Sequence, residues 1–237
     1  IANEDIVAWD GGAGFTVLFD GSDVGLGSLA VDAFARLGQS QILLSFTAPG
    51  TVPGIAGTVD DSDIVLFTAS SLGEVTAGTF TLYFDGSDVG LSNASEDVDA
   101  LELLPNGHLV ASVTGAFQAG ALSGSDEDLF EFAPSSLGAN TAGTWSMYFD
   151  GSDAALSGSG EDVDALAIGG DGRLYLSTAG GFAVPGLSGA DDRGVDEPVR
   201  VSMPADVVMA VVVASAHRAP ALALTGAGKP SRMCSTW

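Results

Sequence analysis

The apolar residues of this chain fall in short alternating runs, not at helical spacing. Val98-Asp99-Ala100-Leu101-Glu102-Leu103-Leu104 leads through Pro105-Asn106-Gly107 to His108-Leu109-Val110-Ala111-Ser112-Val113. Asn-Gly between two apolar runs signals a hairpin. Residues 128–133 follow, with Leu129, Glu131 and Ala133 on one side and Phe130 and Phe132 on the other. Residues 143–149 then place Trp145, Met147 and Phe149 on one face. The stretches between, 115–126 and 134–141, are rich in Gly, Ala and Ser and read as loops. The pattern predicts four short strands and no helix.

The same order recurs. Residues 31–37, 41–46, 63–68 and 78–84 read as four strands. Residues 163–168, the turn Asp171-Gly172 and residues 173–178 begin a third copy, and 5–9 and 14–19 read as the last two strands of an earlier one. The phrase Phe19-Asp20-Gly21-Ser22-Asp23-Val24-Gly25-Leu26 returns at Phe84 and, as Phe149-Asp150-Gly151-Ser152-Asp153-Ala154-Ala155-Leu156, at Phe149. A fixed period means one supersecondary unit copied in tandem. The repeat region spans 1–207: a half unit (1–26), two units (27–91 and 92–156) and a partial unit (157–207). Tandem arrays more often present a binding surface than a single catalytic centre.

Four antiparallel strands per copy point to an all-β, β-propeller-like fold, with a β-sandwich or an open repeat array as the alternative. Asp164-Ala165-Leu166-Ala167-Ile168 followed by Gly170-Asp171-Gly172-Arg173-Leu174-Tyr175-Leu176 resembles the first hairpin of NHL-type and gluconolactonase-like propeller blades. The whole unit also resembles repeats of acidic, secreted bacterial proteins. The resemblance and the acidity imply an extracellular or cell-surface location, and the repetition of the same residues from unit to unit points to a non-catalytic structural or binding role. It also implies an alternative, a metal-dependent lactonase- or phytase-like hydrolase whose acids line a central channel, with Asp99 and Asp164 at the start of the innermost strand.

Charge narrows the partners. Asp and Glu number 31 against 7 Lys and Arg, a net charge of −24. Such a surface repels nucleic acid and anionic lipid and attracts cations. No segment is long enough to span a bilayer. The expected partners are carbohydrate or another surface protein, and a second copy of the chain if the array of units is incomplete. The single cysteine, Cys234, excludes an internal disulfide.

The recurring acids are the candidate chemistry. Asp85, Ser87 and Asp88, and their counterparts Asp150, Ser152 and Asp153, offer carboxylates and a hydroxyl around a glycine able to take positive φ. Glu96, Asp97 and Asp99, with Glu161, Asp162 and Asp164, can complete a calcium shell of six to eight oxygens. The first unit keeps only Asp32, with Leu29 and Ala30 where the Glu and Asp stand, and is the weakest expected site. A third acidic group precedes the third strand at Asp60-Asp61-Asp63, Asp126-Glu127-Asp128 and Asp191-Asp192. The competing reading is that Asp and Ser beside Gly cap turns by bonding nearby backbone N–H groups. His108 reads as a solvated turn residue, which leaves no Ser-His-Asp arrangement. Phe15, Phe80 and Trp145 occupy equivalent core positions. Phe117 and Phe182 lie in the glycine-rich loops, where they either stack on sugars or plug the space between units.

Residues 208–237 break the pattern. Repeat, acidity and turn signals vanish together, and residues 200–237 carry a net charge of +3 against −27 for residues 1–199. Either this is an atypical terminal segment such as an edge strand, or it is the next unit translated out of frame.

Overall fold

The computed structural model of the chain describes residues 1–9, 14–189 and 210–211. Asp191, Asp192, His217 and nearly all of the atypical tail lie outside them. The fold is all-β, assembled from small antiparallel sheets.

Two four-stranded sheets repeat one plan. In the first, β1 and β2 being Ile6–Trp9 and Phe15–Phe19, the strands are β3 (Val31–Leu37), β4 (Gln41–Phe46), β5 (Ile64–Ser71) and β6 (Ala77–Phe84). In the second, β7 (Ala100–Leu103) pairs with β8 (Leu109–Ser112), which pairs with β11 (Leu129–Ser136) and that with β12 (Ala142–Phe149). The hairpin β13 (Val163–Ile168) and β14 (Leu174–Thr178) repeats the first half of the plan. The pair β1–β2 repeats its second half, and β17 (Ala210–Val211) lies along the other edge of β1. Among the described residues these sheets close no ring.

The predicted turns form as their chemistry requires. Gly107 takes φ +86° and Gly172 φ +79°, the left-handed conformation that glycine adopts without strain. Asn106 Oδ1 and Asp171 Oδ1 each accept the N–H two residues on, from His108 and Arg173.

Two expected loops prove ordered. Residues 115–126 contain a hairpin, β9 (Phe117–Ala119) with β10 (Leu122–Gly124), and β15 (Phe182–Val184) with β16 (Leu187–Gly189) repeats it. Runs of three residues are too short for alternation to register in the sequence. Residues 134–136 continue β11, because Pro134 sits where the ladder shifts register and no N–H is required of it.

Units are joined by rings. Phe67 of the first complete sheet packs on Phe19 at 5.0 Å and on Phe80 at 4.8 Å. In the next sheet Phe132 packs on Phe84 at 5.2 Å and on Trp145 at 4.6 Å. Phe19 and Phe84, which open the first two acidic phrases, are thus buried against the following unit, whereas Phe149 is only partly buried. Glycine at 143 is the condition for this, since a Cβ there would stand 2.5 Å from the Phe132 ring. Phe80 and Trp145 join the core as expected, but Phe15 is 64% exposed.

Phe117 is buried, 3% exposed, with its ring 4.6 Å from Phe130. Sugar stacking on Phe117 is therefore excluded. The alternation that would have revealed its inward direction is hidden by flanking Gly and Ala.

Candidate functional site

The four acidic groups separate in space into three structural devices and one cluster without an evident structural role.

The Asp-Gly-Ser-Asp phrase is a staple. Its first Asp turns on itself: Asp85 Oδ1 accepts the Ser87 hydroxyl at 2.7 Å and the Asp88 N–H at 3.3 Å, and Asp20 and Asp150 do the same with Ser22 and Ser152. The Ser22 hydroxyl, with backbone N–H bonds, holds the Asp20 carboxyl below its usual range against the effect of burial. The second Asp reaches across: Asp88 Oδ2 accepts the Thr141 N–H at 2.9 Å while Thr141 Oγ1 accepts the Asp85 N–H at 2.9 Å. Asp23, Thr76 and Asp20 repeat this exchange one unit earlier. For Asp153 no described residue provides it.

The glycine of the phrase serves close approach rather than positive φ, a correction to the expectation. Gly21 and Gly86 have φ −69° and −65°. A Cβ on Gly86 or Gly151 would meet the Ser62 or Glu127 carbonyl at 2.5 Å. Positive φ falls instead at Gly25, Gly90 and Ala155, the last at +67°.

Glu96 and Glu161 tie the small hairpins down. Glu96 Oε2 accepts the N–H groups of Ser92 and Asn93 and the Asn93 amide, and Oε1 accepts Gln118 N–H. Glu161 accepts Ser157, Gly158 and Ala183 N–H. Burial acts to raise Glu96, but its donors outweigh that and leave the carboxyl below its usual range. The Ala183, Ser157 and Gly158 N–H groups lower Glu161. In the first unit Leu29 stands here and packs against Gly50. Of the third group, Asp63 and Asp128 bridge their own loop to the phrase, accepting Gly86 and Gly151 N–H at 2.9 Å. Asp5 does this for Gly21.

The fourth set gathers at the starts of the first strands of successive units, β3, β7 and β13. Asp97 meets the Asp32 carboxyl, and Asp99 meets that of Asp162. Asp32, the second residue of β3, faces Asp97 ahead of β7, and Asp99, immediately ahead of β7, faces Asp162 ahead of β13. Asp61 and Asp164 contribute their fields to the same set. Burial, then the charges of Asp32 and Asp61, push Asp97 up to about 8. Burial raises Asp32 to about 6, although its hydrogen bond from Asp97 acts the other way. This is the behaviour of two carboxyls sharing a proton. Burial and Asp162 raise Asp99 well above its usual range. Arg36 and Arg173, the described guanidinium groups, are exposed.

The predicted shell of phrase acids together with Glu96, Asp97 and Asp99 is therefore divided. Asp85, Ser87, Asp88, Asp150 and Ser152 bond within turns or to the next unit, Glu96 and Glu161 hold hairpins, Asp97 meets Asp32, Asp99 meets Asp162, and Asp164 accepts the Ser177 hydroxyl at 2.7 Å. Asp32 and Asp61 join them unassigned. The clue to Asp32 was its retention where Glu and Asp had been lost. Among the described residues no three carboxyl, imidazole or thiol side chains are grouped so that they could hold a metal ion.

His108 is not solvated as expected: its Nδ1 lies 2.6 Å from Glu131 Oε1 and the ring is half-buried. Open grooves lie elsewhere, one of about 590 Å³ between Pro53, Gly54 and Phe80. No described helix is long and apolar enough to cross a membrane. No family model, curated protein or solved structure matches this chain.

Proposed function

We propose that the chain is a non-catalytic structural or binding module of the cell exterior, built from β-propeller-like units and stabilised by calcium. The observation that supports this reading is the use made of the recurring polar residues. Asp20, Asp23, Asp85, Asp88, Glu96 and Glu161 spend their oxygens on backbone N–H groups and neighbouring hydroxyls. The described imidazole belongs to His108, which a glutamate holds, so no serine is activated by it. What is left is a set of carboxyls that meet one another between units, a chemistry that suits a cation better than a covalent step. The surface, at −24, turns away polyanions and leaves carbohydrate or another surface protein as partner, with self-association where the array of units stays open.

A second reading, a propeller hydrolase using a divalent metal, draws on the same carboxyls at the starts of innermost strands. Turnover of lactones and phosphate esters, measured with calcium and with EDTA, separates the two. No turnover in either condition is the expected result. Calcium-dependent turnover abolished by Asp99→Asn would replace the first reading by the second.

A further inference from the structure

The ring pair that docks one unit on the next recurs at β1–β2, where it lies exposed. Trp9 pairs with Phe15 across the strands as Phe67 pairs with Phe80 and Phe132 with Trp145. The two later pairs pack on the phenylalanine of the preceding phrase, Phe67 at 5.0 Å from Phe19 and Phe132 at 5.2 Å from Phe84. Trp9 is 46% exposed and Phe15 64%. The hairpin β13–β14 presents the opposite half of this contact. It repeats β7–β8, yet among the described residues its sheet has two strands where theirs has four. Leu166, Leu174 and Leu176 are half-buried, whereas Leu101, Leu109 and Ala111 at the equivalent positions are buried. Ahead of this hairpin Phe149 is only partly buried and Tyr148 is 36% exposed. One end of the array thus shows the rings, and the other the apolar surface on which such rings pack.

We propose that copies of this chain associate head to tail, β1–β2 of one copy completing the four-stranded unit that β13–β14 of another begins. The template is internal. β8 pairs Leu109 with Phe132 and Ala111 with Phe130, so β14 pairs Leu174 with Trp9 and Leu176 with Val7 of the second copy, and the Trp9 and Phe15 rings settle on Phe149. The edge of β1 takes a strand in this sense: β17 lies there antiparallel, Val211 at Val7 and Ala210 at Ala8, and leaves both rings exposed. The second copy displaces those two residues. Residues 10–14, which join β1 to β2, contain no threonine to act as Thr76 and Thr141 do. Asp153 therefore gains no staple, and the contact between copies is weaker than the junctions within one chain. A net charge of −24 on each copy opposes their approach, so salt strengthens the contact. Because its two faces differ, such a contact continues to longer assemblies unless a ring closes.

This inference rests on the binding-module reading above and names the partner for its self-association. The test is sedimentation velocity of the full chain over a concentration series at high sodium chloride, on the parent, Phe15→Ser, Tyr148→Asp and Ala210→Pro. Phe15 and Tyr148 are exposed, and circular dichroism establishes that each variant is folded. The parent is expected to pass beyond a dimer as concentration rises, and Phe15→Ser and Tyr148→Asp each to associate about ten-fold or more weakly. An equimolar mixture of those two is expected to stop at a dimer, since each supplies the face the other has lost. A parent that stays monomeric, variants that associate as the parent does, or a mixture that forms no dimer overturns the proposal. Association lost in Ala210→Pro overturns it too, by placing β17 and not β14 at the contact. Catalytic turnover, which would replace the module reading, is scored in its own assay, so the two fail separately.

Discussion

Asp88→Ala separates a staple from a ligand. The substitution removes the acceptor of the Thr141 N–H, 2.9 Å away, from a threonine that is almost fully buried. A hydrogen bond to a charged group contributes about 1.5–3 kcal/mol, and water reaching the exposed Asp88 side trims this to about 1–2 kcal/mol. At this chain length 1 kcal/mol moves the melting temperature by about 2–4 °C, so a fall of about 2–8 °C is expected. Asp23→Ala, which frees the Thr76 N–H in the same way, is expected to match it. Asp153→Ala breaks no such bond among the described residues and is expected to cost less than about 0.5 kcal/mol. The assay is thermal unfolding of the four proteins by circular dichroism, in EDTA and again in millimolar calcium. Equal losses from all three variants, or a loss at Asp88 that appears only with calcium, would refute the staple.

Three further outcomes follow from single positions. Ala155 holds φ +67°, which costs a non-glycine residue about 1–2 kcal/mol, so Ala155→Gly is expected to raise stability by about 1 kcal/mol in urea unfolding; a loss of stability would contradict the strain. Phe117→Ala empties a buried ring site against Phe130 and is expected to cost about 3–5 kcal/mol, with no protection by added oligosaccharides. In EDTA the melting temperature is expected to fall as pH rises from about 5 to about 9. Asp32 and Asp97 are raised in the folded chain to about 6 and about 8, so their contribution is complete below the unfolded carboxylate value of 3.8 and is lost as pH climbs through those values. Asp20, Glu96 and Glu161 are lowered and lose their contribution only in stronger acid. A melting temperature that climbs across that range would contradict the protonated pairs.

The sequence made the strands legible where a turn residue and a sufficient run coincided. Residues 31–37, 41–46 and 163–168 were bounded to the residue because Gly38 and the Gly169–Arg173 turn punctuate them. The hairpins at Phe117 and Phe182 were not legible, since three-residue strands among Gly and Ala show no period. Spacing also could not sort the acids. Asp85 and Asp97 stand twelve residues apart in one polar stretch, yet one serves its own turn and the other faces Asp32. Only the pairing of unit with unit, which brings β3, β7 and β13 side by side, separates those roles. The turn-capping chemistry of Asp and Ser was readable in the phrase itself; its second half, the reach of Asp88 to Thr141, depends on a neighbour 53 residues away.

The account turns on whether the folded chain is stabilised by calcium, and one melt of the full chain tests it most directly. The conditions are EDTA, millimolar calcium, and sodium chloride at matched ionic strength. A cation that binds only the folded chain adds about 2.7 kcal/mol at one hundred times its Kd, so a calcium-specific rise of several degrees is predicted. An equal rise in sodium chloride would reduce the carboxyls to a screened acidic cluster and contradict the account.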